Sequence, residues 1–266
     1  MKKITENAYA KINLTLDVKG ESLGFHLLDM LVASVELHDD VTVTIRNDEI
    51  VTCTTDGRAD SENNSAVKAA NLMRERFGIK GCDVVVKKRI PVGGGMGGSA
   101  ADGVAVVRAL QKLCGISDKD IDNSFLLKIG SDAPAMYRKG VKRVRGIGEI
   151  IDFIDIKLPY KVAFIAGNGV STPECFRRFD ELKIAGGNST ESLIENVGRA
   201  GFDIAEFLHN DLLPAAISLN GGVAESTEKM ISAGAEATSM SGSGSAVFGL
   251  FDEDAETPFC ETRFIY

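Results

Sequence analysis

The segment from Ile90 to Asp102 holds a dense glycine run, and glycine lets a backbone adopt positive φ angles and come close to a ligand. Five of the six residues from Gly93 to Gly98 are glycine. A predicted strand leads into the run and a predicted helix leads out of it. Successive N–H groups could therefore converge on an anion near the positive end of the helix dipole. The segment predicts an anion-binding loop; the alternative is a flexible turn followed by an ordinary helix cap.

Ser99 lies at the predicted start of that helix, where its hydroxyl could cap the helix or face a phosphate and its metal ion. The loop is not a P-loop, because no Gly-Lys-Ser/Thr sequence follows the glycines. The spacing of Gly93, Gly95 and Gly98 matches the dinucleotide-binding fingerprint only by chance. By itself the loop predicts an anion at a helix N-terminus and nothing more specific.

Two charged residues elsewhere could act on a bound phosphate. Lys11 is the only lysine inside an otherwise apolar predicted strand, where an unpaired ammonium is costly; the alternative is the exposed face of an edge strand. Asn13 lies two residues on and therefore on the same side of that strand. Asp132 lies in the turn Gly130–Pro134, which could hold its carboxylate rigidly, with turn or helix capping as the alternative.

The elements that would position these residues follow from the hydrophobic pattern and the turn residues. Strands are predicted at residues 8–18, 32–35, 41–45, 82–86, 160–166 and 246–251, with a polar turn at 37–40. Helices are predicted at 66–77, 103–114, 117–130 and 225–234, with two more between 174 and 196 joined by a loop at 186–188. Because strands and helices do not alternate strictly, the pattern favours an α+β fold. We expect two lobes, residues 1–150 and 151–266.

Composition and charge exclude several classes of protein. The formal net charge of -8, from 38 acidic and 30 basic residues among 266, argues against a nucleic-acid binder. Five widely spaced cysteines without a Cys-x-x-Cys pair fit neither a disulfide framework nor a zinc site. No apolar run approaches the length of a signal peptide or a membrane span. We expect a cytoplasmic protein with reduced thiols and no nucleic-acid or membrane partner.

Four segments, in order along the chain, resemble the motifs of the GHMP kinases, which include galactokinase, homoserine kinase and mevalonate kinase. They are Ala10–Leu14 (Ala-Lys-Ile-Asn-Leu), Pro91–Ala101, Gly130–Pro134 (Gly-Ser-Asp-Ala-Pro) and Ser239–Phe248, a second glycine-rich loop. Within that superfamily the segments are most similar to those of the 4-diphosphocytidyl-2-C-methyl-D-erythritol kinases. Each piece is weak alone, whereas the ordered set from residue 10 to about residue 250 is specific.

The resemblance implies a fold and a reaction. The fold would be a two-lobed GHMP kinase, with an N-terminal lobe like ribosomal protein S5 domain 2 and an α/β-sandwich C-terminal lobe. ATP and Mg2+ would phosphorylate the 2-hydroxyl of 4-diphosphocytidyl-2-C-methyl-D-erythritol, a step of isoprenoid precursor synthesis by the methylerythritol phosphate route. Asp132 would accept the hydroxyl proton, and Lys11 would neighbour Asp132, keep its carboxylate ionised and polarise the acceptor oxygen.

The resemblance also assigns binding residues. ATP would bind Asn64, for which helix capping is the alternative, and the loop residues Pro91, Gly93, Gly94, Gly95, Met96, Gly97, Gly98, Ser99, Ala100 and Ala101. Ser99 would contact Mg2+ together with nucleotide phosphates and water. Phe25 and His26 would frame the cytosine ring, with a core Phe and a surface His as the alternative. The other substrate contacts would be Asn13, Ser171, Thr172, Gly242 and Ser243.

The chain departs from the closest family pattern at the acceptor pocket and in the loop. An Arg-x-Asp-Gly-Tyr-His pattern becomes Glu21–His26 (Glu-Ser-Leu-Gly-Phe-His), and the serines of the loop are rearranged. Two alternatives therefore stay open: a GHMP-type kinase for another small alcohol, and a catalytically silent nucleotide-binding relative. The partner would be a small-molecule cytidyl-sugar-alcohol substrate, and the enzyme would be a monomer or a weak homodimer. His38 and His209 lack comparable motifs, and we expect structural roles for them.

Overall fold

The computed structural model describes residues 2–22, 24–59 and 64–266, and it has the mixed helix and strand content of an α+β fold. The strands are β1 (Lys3–Ser22), β2 (Phe25–Ile45), β3 (Val51–Thr55), β4 (Arg58–Ala59), β5 (Cys82–Lys87), β6 (Val141–Gly146), β7 (Ile150–Ile154), β8 (Lys161–Ile165), β9 (His209–Asn210), β10 (Ala237–Met240), β11 (Val247–Phe251) and β12 (Cys260–Arg263). The α-helices are α1 (Ser65–Phe77), α2 (Gly98–Cys114), α3 (Asn123–Leu127), α4 (Ala133–Tyr137), α5 (Thr172–Glu181), α6 (Ser189–Asn196), α7 (Leu213–Leu219) and α8 (Gly222–Ser232). Asp118–Asp120 and Ile204–Phe207 are 3-10 helices.

The chain divides into two compact units, each assembled from separate stretches. Unit 1 comprises the residues up to Ala10, Leu37–Ile90 and Gly97–Arg138. Unit 2 comprises Lys11–Glu36, Pro91–Met96 and Lys139–Tyr266. The long strands β1 and β2 contribute residues to both units. A domain division of the sequence near residue 150 remains a prediction.

Unit 1 combines a small sheet with two packed helices. Its strand β5 pairs antiparallel with β2, where Val84 faces Val43, and parallel with β3, where Val84 faces Cys53. Helices α1 and α2 cross closely at Gly103, where an added Cβ would lie 3.0 Å from the carbonyl oxygen of Ser65. The buried faces of α1 and α2 supply small and branched side chains to the core, among them Ala69, Ala70, Met73, Val104, Val107 and Leu110.

Unit 2 contains two groups of paired strands. In one, β6 pairs antiparallel with β2 and with β7, and β9 runs parallel to β1 with Thr15 facing His209. In the other, four antiparallel strands take the order β10-β11-β8-β12. Helix α8 packs on β10 and β11. Strand β11 is buried along its whole length, in agreement with its uninterrupted apolar sequence.

Most predicted elements are found where their sequence signals place them. Asn64 caps α1 and Gly78 ends it in the left-handed conformation, as Gly115 does for α2. The predicted strands at 8–18, 82–86, 160–166 and 246–251 are present, and β1 is longer than expected. Helices α5, α6 and α8 match the helical predictions in the second half of the chain.

The predicted turn at residues 37–40 is wrong, because β2 continues through it without interruption. The reason is the role of Asp39, whose carboxylate is completely buried. Its Oδ1 accepts the backbone N–H groups of Arg89 and Ile90, at 2.5 and 2.8 Å. A charged residue that is typical of a turn therefore serves here as an internal hydrogen-bond acceptor of a strand.

Two other predictions need correction. The single helix expected at residues 117–130 is a 3-10 turn followed by α3, because the Asp122 carboxylate starts a new helix by accepting the N–H of Phe125. Strands β6 and β7 were not predicted, because their charged residues conceal the alternation. In β6 these charges are paired, Arg143 with Asp29 and Arg145 with Asp152. Among the described residues, no helix combines the length and apolar character needed to cross a membrane.

Candidate active site

Lys11 is buried in the polar face of β1, with 5% of its surface exposed. The period of two places Lys11, Asn13, Thr15 and Asp17 on one face of the strand and apolar residues on the other. The Lys11 Nζ donates a hydrogen bond of 2.5 Å to Asn13 Oδ1. Burial excludes the alternative of a solvated lysine on an edge strand. The hydrogen bond confirms that Lys11 and Asn13 share one side of β1.

Both glycine-rich segments reach Lys11. We call residues 93–98 the first glycine loop and residues 239–245 the second. The backbone N–H of Lys11 donates to the carbonyl oxygen of Met96, at 3.1 Å. On the other side, a Cβ added at Gly242 would lie 3.2 Å from Lys11 Nζ. The ammonium therefore lies close to the backbone of Gly242, whose φ of 59° favours glycine.

The two loops also contact each other directly. The N–H of Ala246 donates to the carbonyl oxygen of Gly94, at 3.1 Å, and the Ser241 hydroxyl donates to that of Gly95, at 3.0 Å. Gly95 has a φ of 73°, and an added Cβ would lie only 2.1 Å from the carbonyl oxygen of Ser241. This contact requires glycine both for backbone conformation and for space.

Asn210 holds the second glycine loop in place. Its side-chain Nδ2 donates to the carbonyl oxygens of Met240 and Gly242, at 2.7 and 2.8 Å. Its Oδ1 accepts the N–H of Leu212, at 2.9 Å, so both ends of the buried amide are satisfied. One side chain thus fixes two carbonyl groups of the loop that faces Lys11.

The predicted contacts Thr172 and Ser243 are adjacent, since their hydroxyl oxygens lie 2.8 Å apart. Ser171 precedes α5 at the N-cap position, and among the described residues its side chain makes no capping bond to that helix. The same segment is fixed to the second glycine loop by the N–H of Gly169, which donates to Ser245 Oγ at 2.8 Å. Two hydroxyls and a glycine loop therefore meet at one place in unit 2.

Phe25 and His26 differ in their surroundings. The Phe25 side chain is 61% exposed, which excludes the alternative of a core residue. The His26 ring stacks on Phe176 with its centroid 4.6 Å away, and its Nε2 lies 2.9 Å from Asp180 Oδ1. Stacking and the carboxylate fix the orientation of the imidazole beside an exposed aromatic ring.

In unit 1, helix α2 begins at Gly98, one turn before the sequence prediction, and its N-cap is Gly97. Gly97 has no side chain, so the first N–H groups of α2 are not capped by it. Of the two alternatives for Ser99, the capping role is therefore excluded, because the N-cap is Gly97. Ser99 lies within the first turn, exposed, with its Oγ 2.7 Å from Ser65 Oγ.

Two further predicted residues of unit 1 lie at helix starts. The Asn64 Oδ1 accepts the N–H of Ala66 at 2.7 Å, so this side chain caps α1. Asp132 directly precedes α4 and is half-buried. Within the described part of the chain, its carboxylate makes no capping hydrogen bond to α4, so the capping alternative receives no support there.

Comparison with known proteins places this geometry in a family. The chain matches the GHMP kinases N terminal domain at residues 64–140 and the GHMP kinases C terminal domain at residues 190–258. The 4-diphosphocytidyl-2-C-methyl-D-erythritol kinase of Thermoanaerobacter pseudethanolicus is 33% identical over 95% of this chain and 89% of its own length. That of Clostridium novyi is 34% identical over 97% and 94%. The chain belongs to the 4-diphosphocytidyl-2-C-methyl-D-erythritol kinase family.

Solved structures agree with the family assignment. A crystal structure of a 4-(cytidine 5'-diphospho)-2C-methyl-D-erythritol kinase matches with a TM-score of 0.76 at 28% identity, over 93% of this chain and 90% of the other. The Methanococcus jannaschii mevalonate kinase matches with a TM-score of 0.69 at 12% identity, over 100% and 99%, which shows a shared fold alone. The predicted resemblance and the GHMP fold class are therefore confirmed.

Sequence reasoning missed several residues that position the candidate active-site residues of this kinase. Asn210 is not among the predicted site residues, because its partners Met240 and Gly242 lie thirty or more positions later in the chain. Phe176 and Asp180 lie in a helix rich in charged residues, and nothing in the local pattern links them to His26. The predicted neighbourhood of Lys11 and Asp132 remains a prediction.

Proposed function

We infer that this chain is an ATP-dependent kinase that phosphorylates the 2-hydroxyl of 4-diphosphocytidyl-2-C-methyl-D-erythritol. The observation that carries this inference is the buried Lys11, whose backbone bonds to the first glycine loop and whose ammonium faces the second. A buried ammonium is costly. A protein that only binds nucleotide does not require a buried ammonium beside both glycine loops. The arrangement therefore favours a phosphotransferase over a catalytically silent relative.

The residues divide the work of phosphoryl transfer, in which positioning and charge stabilisation dominate. The bond between the γ-phosphorus and the β-γ bridging oxygen breaks, and the acceptor oxygen forms a new bond to the γ-phosphorus. Asp132 accepts the proton of that hydroxyl. Lys11 supplies positive charge to the acceptor oxygen and is held by Asn13.

The nucleotide is the ligand of the first glycine loop and of the N-terminus of α2. Residues 93–101 direct backbone N–H groups at the phosphates, and Pro91 leads into this loop. Asn64 lies at the start of the neighbouring helix α1. Mg2+ prefers oxygen ligands and keeps several waters, and the exposed Ser99 hydroxyl fits such a shell. When bound, the ion neutralises charge on the phosphates.

The acceptor is held by residues of unit 2. Phe25 stacks on the cytosine ring, and His26, oriented by Phe176 and Asp180, bonds to the base edge. Additional contacts come from Asn13, Ser171, Thr172, Gly242 and Ser243. A monomer or a weak homodimer located in the cytoplasm remains the prediction for the state of the enzyme.

Turnover of defined acceptors tests this function. Purified protein with Mg-ATP and 4-diphosphocytidyl-2-C-methyl-D-erythritol should release ADP and form a product heavier by one phosphoryl group, measured by mass spectrometry. Mevalonate, homoserine and galactose should give no product. Turnover of one of these alcohols instead would overturn the acceptor assignment, and ATP binding without any product would support the silent relative.

Replacing the proposed base separates catalysis from binding. Asp132→Asn should lower kcat by about 10²- to 10⁴-fold, the range for general acid–base catalysis, with little change in the Kd for Mg-ATP. Asp122→Asn is a matched control, because Asp122 caps α3 in the same unit and asparagine caps equally well. Near-wild-type turnover of Asp132→Asn would show that Asp132 is not the base.

A further inference from the structure

A buried cluster of three charged residues lies at the base of the first glycine loop, in unit 1. Lys88 directly follows β5, and its Nζ donates to Asp39 Oδ2 at 2.5 Å and to Asp102 Oδ2 at 2.8 Å. Asp39 is completely buried and Asp102 is 6% exposed. Two carboxylates therefore share one ammonium in a region of low dielectric, where such interactions are strong.

The cluster is connected to both ends of the loop. Asp39 Oδ1 accepts the N–H groups of Arg89 and Ile90, the last residues before the loop segment that starts at Pro91. At the other end, Asp102 lies in the second turn of α2, the helix whose first residues close the loop. Entry and exit of the glycine loop are thus tied to the same ammonium.

Lys88 also lies beside the first residue of α2. A Cβ added at Gly98 would lie 3.3 Å from Lys88 Nζ and 3.2 Å from Ile90 Cγ2. The N-terminus of α2 carries the positive end of the helix dipole, where an anion is stabilised. The Lys88 charge therefore lies directly behind the backbone that would face a phosphate.

Asp102 is incompletely satisfied. Its Oδ1 is buried without a hydrogen-bond partner among the described residues. The pKa of Asp102 is raised to about 7, mainly by burial. The nearby Asp39 carboxylate adds to this rise, and the Lys88 ammonium opposes it. Within the part of the chain that the structure describes, the charged groups that act most strongly on Asp102 are Lys88 and Asp39. With all three ionised the cluster carries one net negative charge, and with Asp102 protonated it is neutral.

We propose that Lys88 is a positioning residue for the ATP phosphates. Asp39 and Asp102 hold the Lys88 ammonium behind Gly98, and this arrangement keeps the two ends of the glycine loop at a fixed separation. The proposal rests on the proposed function only in that the anion is the phosphate chain of ATP. Lys88 acts through the loop backbone, and its proposed role does not depend on which alcohol accepts the phosphoryl group.

Binding of Mg-ATP in the absence of acceptor, measured by titration calorimetry, tests the proposal. Lys88→Met should raise Kd on the order of tenfold, the effect of losing about one charge interaction near the phosphates, and Lys88→Arg should restore part of the affinity. Lys112→Met is the matched control, since Lys112 lies exposed on α2 and pairs with Glu6. An unchanged Kd in a well-folded Lys88→Met would overturn the proposal.

Asp102→Asn provides a second test that keeps the shape of the side chain. The pH dependence of the variant's Kd for Mg-ATP reports the titration of ATP itself and serves as the reference. Relative to this reference, the wild-type protein should bind Mg-ATP more weakly at pH 8 than at pH 6, because Asp102 gains its charge across pH 7. The variant should lack this extra weakening and bind more tightly at pH 8. Identical pH dependence of Kd in the two proteins would count against the proposal. This test does not depend on whether Lys88→Met folds. A wild-type protein that binds no Mg-ATP would instead refute the proposed function.

Discussion

Gly95→Ala tests whether contact between the two glycine loops is required for turnover. A left-handed alanine costs about 1–2 kcal/mol, because Gly95 has a φ of 73°. The larger effect is steric, since the new Cβ would lie 2.1 Å from the carbonyl oxygen of Ser241. The loops must then separate by about 1 Å to reach ordinary contact, and a misplacement of that size can lower a rate about 10²-fold.

The assay compares kcat/KM and stability with a matched variant. Gly115→Ala imposes the same kind of backbone strain, at a φ of 70°, but its Cβ would meet no atom within 4 Å. Gly115→Ala should lose about 1–2 kcal/mol in urea unfolding and Gly95→Ala should lose at least that much. Only Gly95→Ala should lose about 10²-fold in kcat/KM. If Gly95→Ala keeps wild-type kcat/KM, or if both variants lose activity equally, close contact of the loops does not determine the rate.

Three further results are expected. Asn210→Ala should lower the free energy of unfolding by about 2–4 kcal/mol, because it leaves the buried carbonyl oxygen of Met240 and the part-buried one of Gly242 without their donor. A change below about 0.5 kcal/mol in urea unfolding would contradict this. Burial lowers the pKa of Lys142 to about 7. The folded protein thus binds fewer protons than the unfolded chain between about pH 7 and the ordinary lysine pKa. Stability relative to Lys142→Met should therefore rise with pH over this window, by at most about 1.4 kcal/mol per pH unit, and stay flat below it; parallel pH profiles would exclude the shift. Phe25→Ala should raise KM for the cytidyl acceptor on the order of tenfold, the effect of losing a stacked base, without lowering the melting temperature, since the ring is exposed; an unchanged KM would remove this residue from the base pocket.

Local sequence signals were sufficient wherever one residue decides a local conformation. Asn64, Gly78 and Gly115 mark the ends of α1 and α2 because capping depends on the side chain or the φ angle of a single residue. The period of two in β1 likewise placed Lys11 and Asn13 together, since strand geometry fixes which side chains share a face. These parts of the site required no knowledge of distant residues.

Signals failed where the partner is distant in sequence. Asp39 resembles a turn residue until the N–H groups of Arg89 and Ile90, some fifty positions away, are known to bond to it. The charges of β6 conceal a strand until Arg143 is paired with Asp29. Buried polar groups persist only with partners, and a partner far along the chain leaves no local pattern.

The first glycine loop illustrates both cases. Its glycines predict an anion site by themselves, but the requirement for glycine at Gly95 comes from Ser241, a residue almost 150 positions later. A run of glycines loses more conformational entropy on folding than other residues do. Binding of a phosphate alone does not explain the glycine at each position of the loop. Contact with the second loop explains the glycine at position 95, where a Cβ would meet the carbonyl oxygen of Ser241. The same contact brings the two loops together beside Lys11, as the proposed phosphoryl transfer requires.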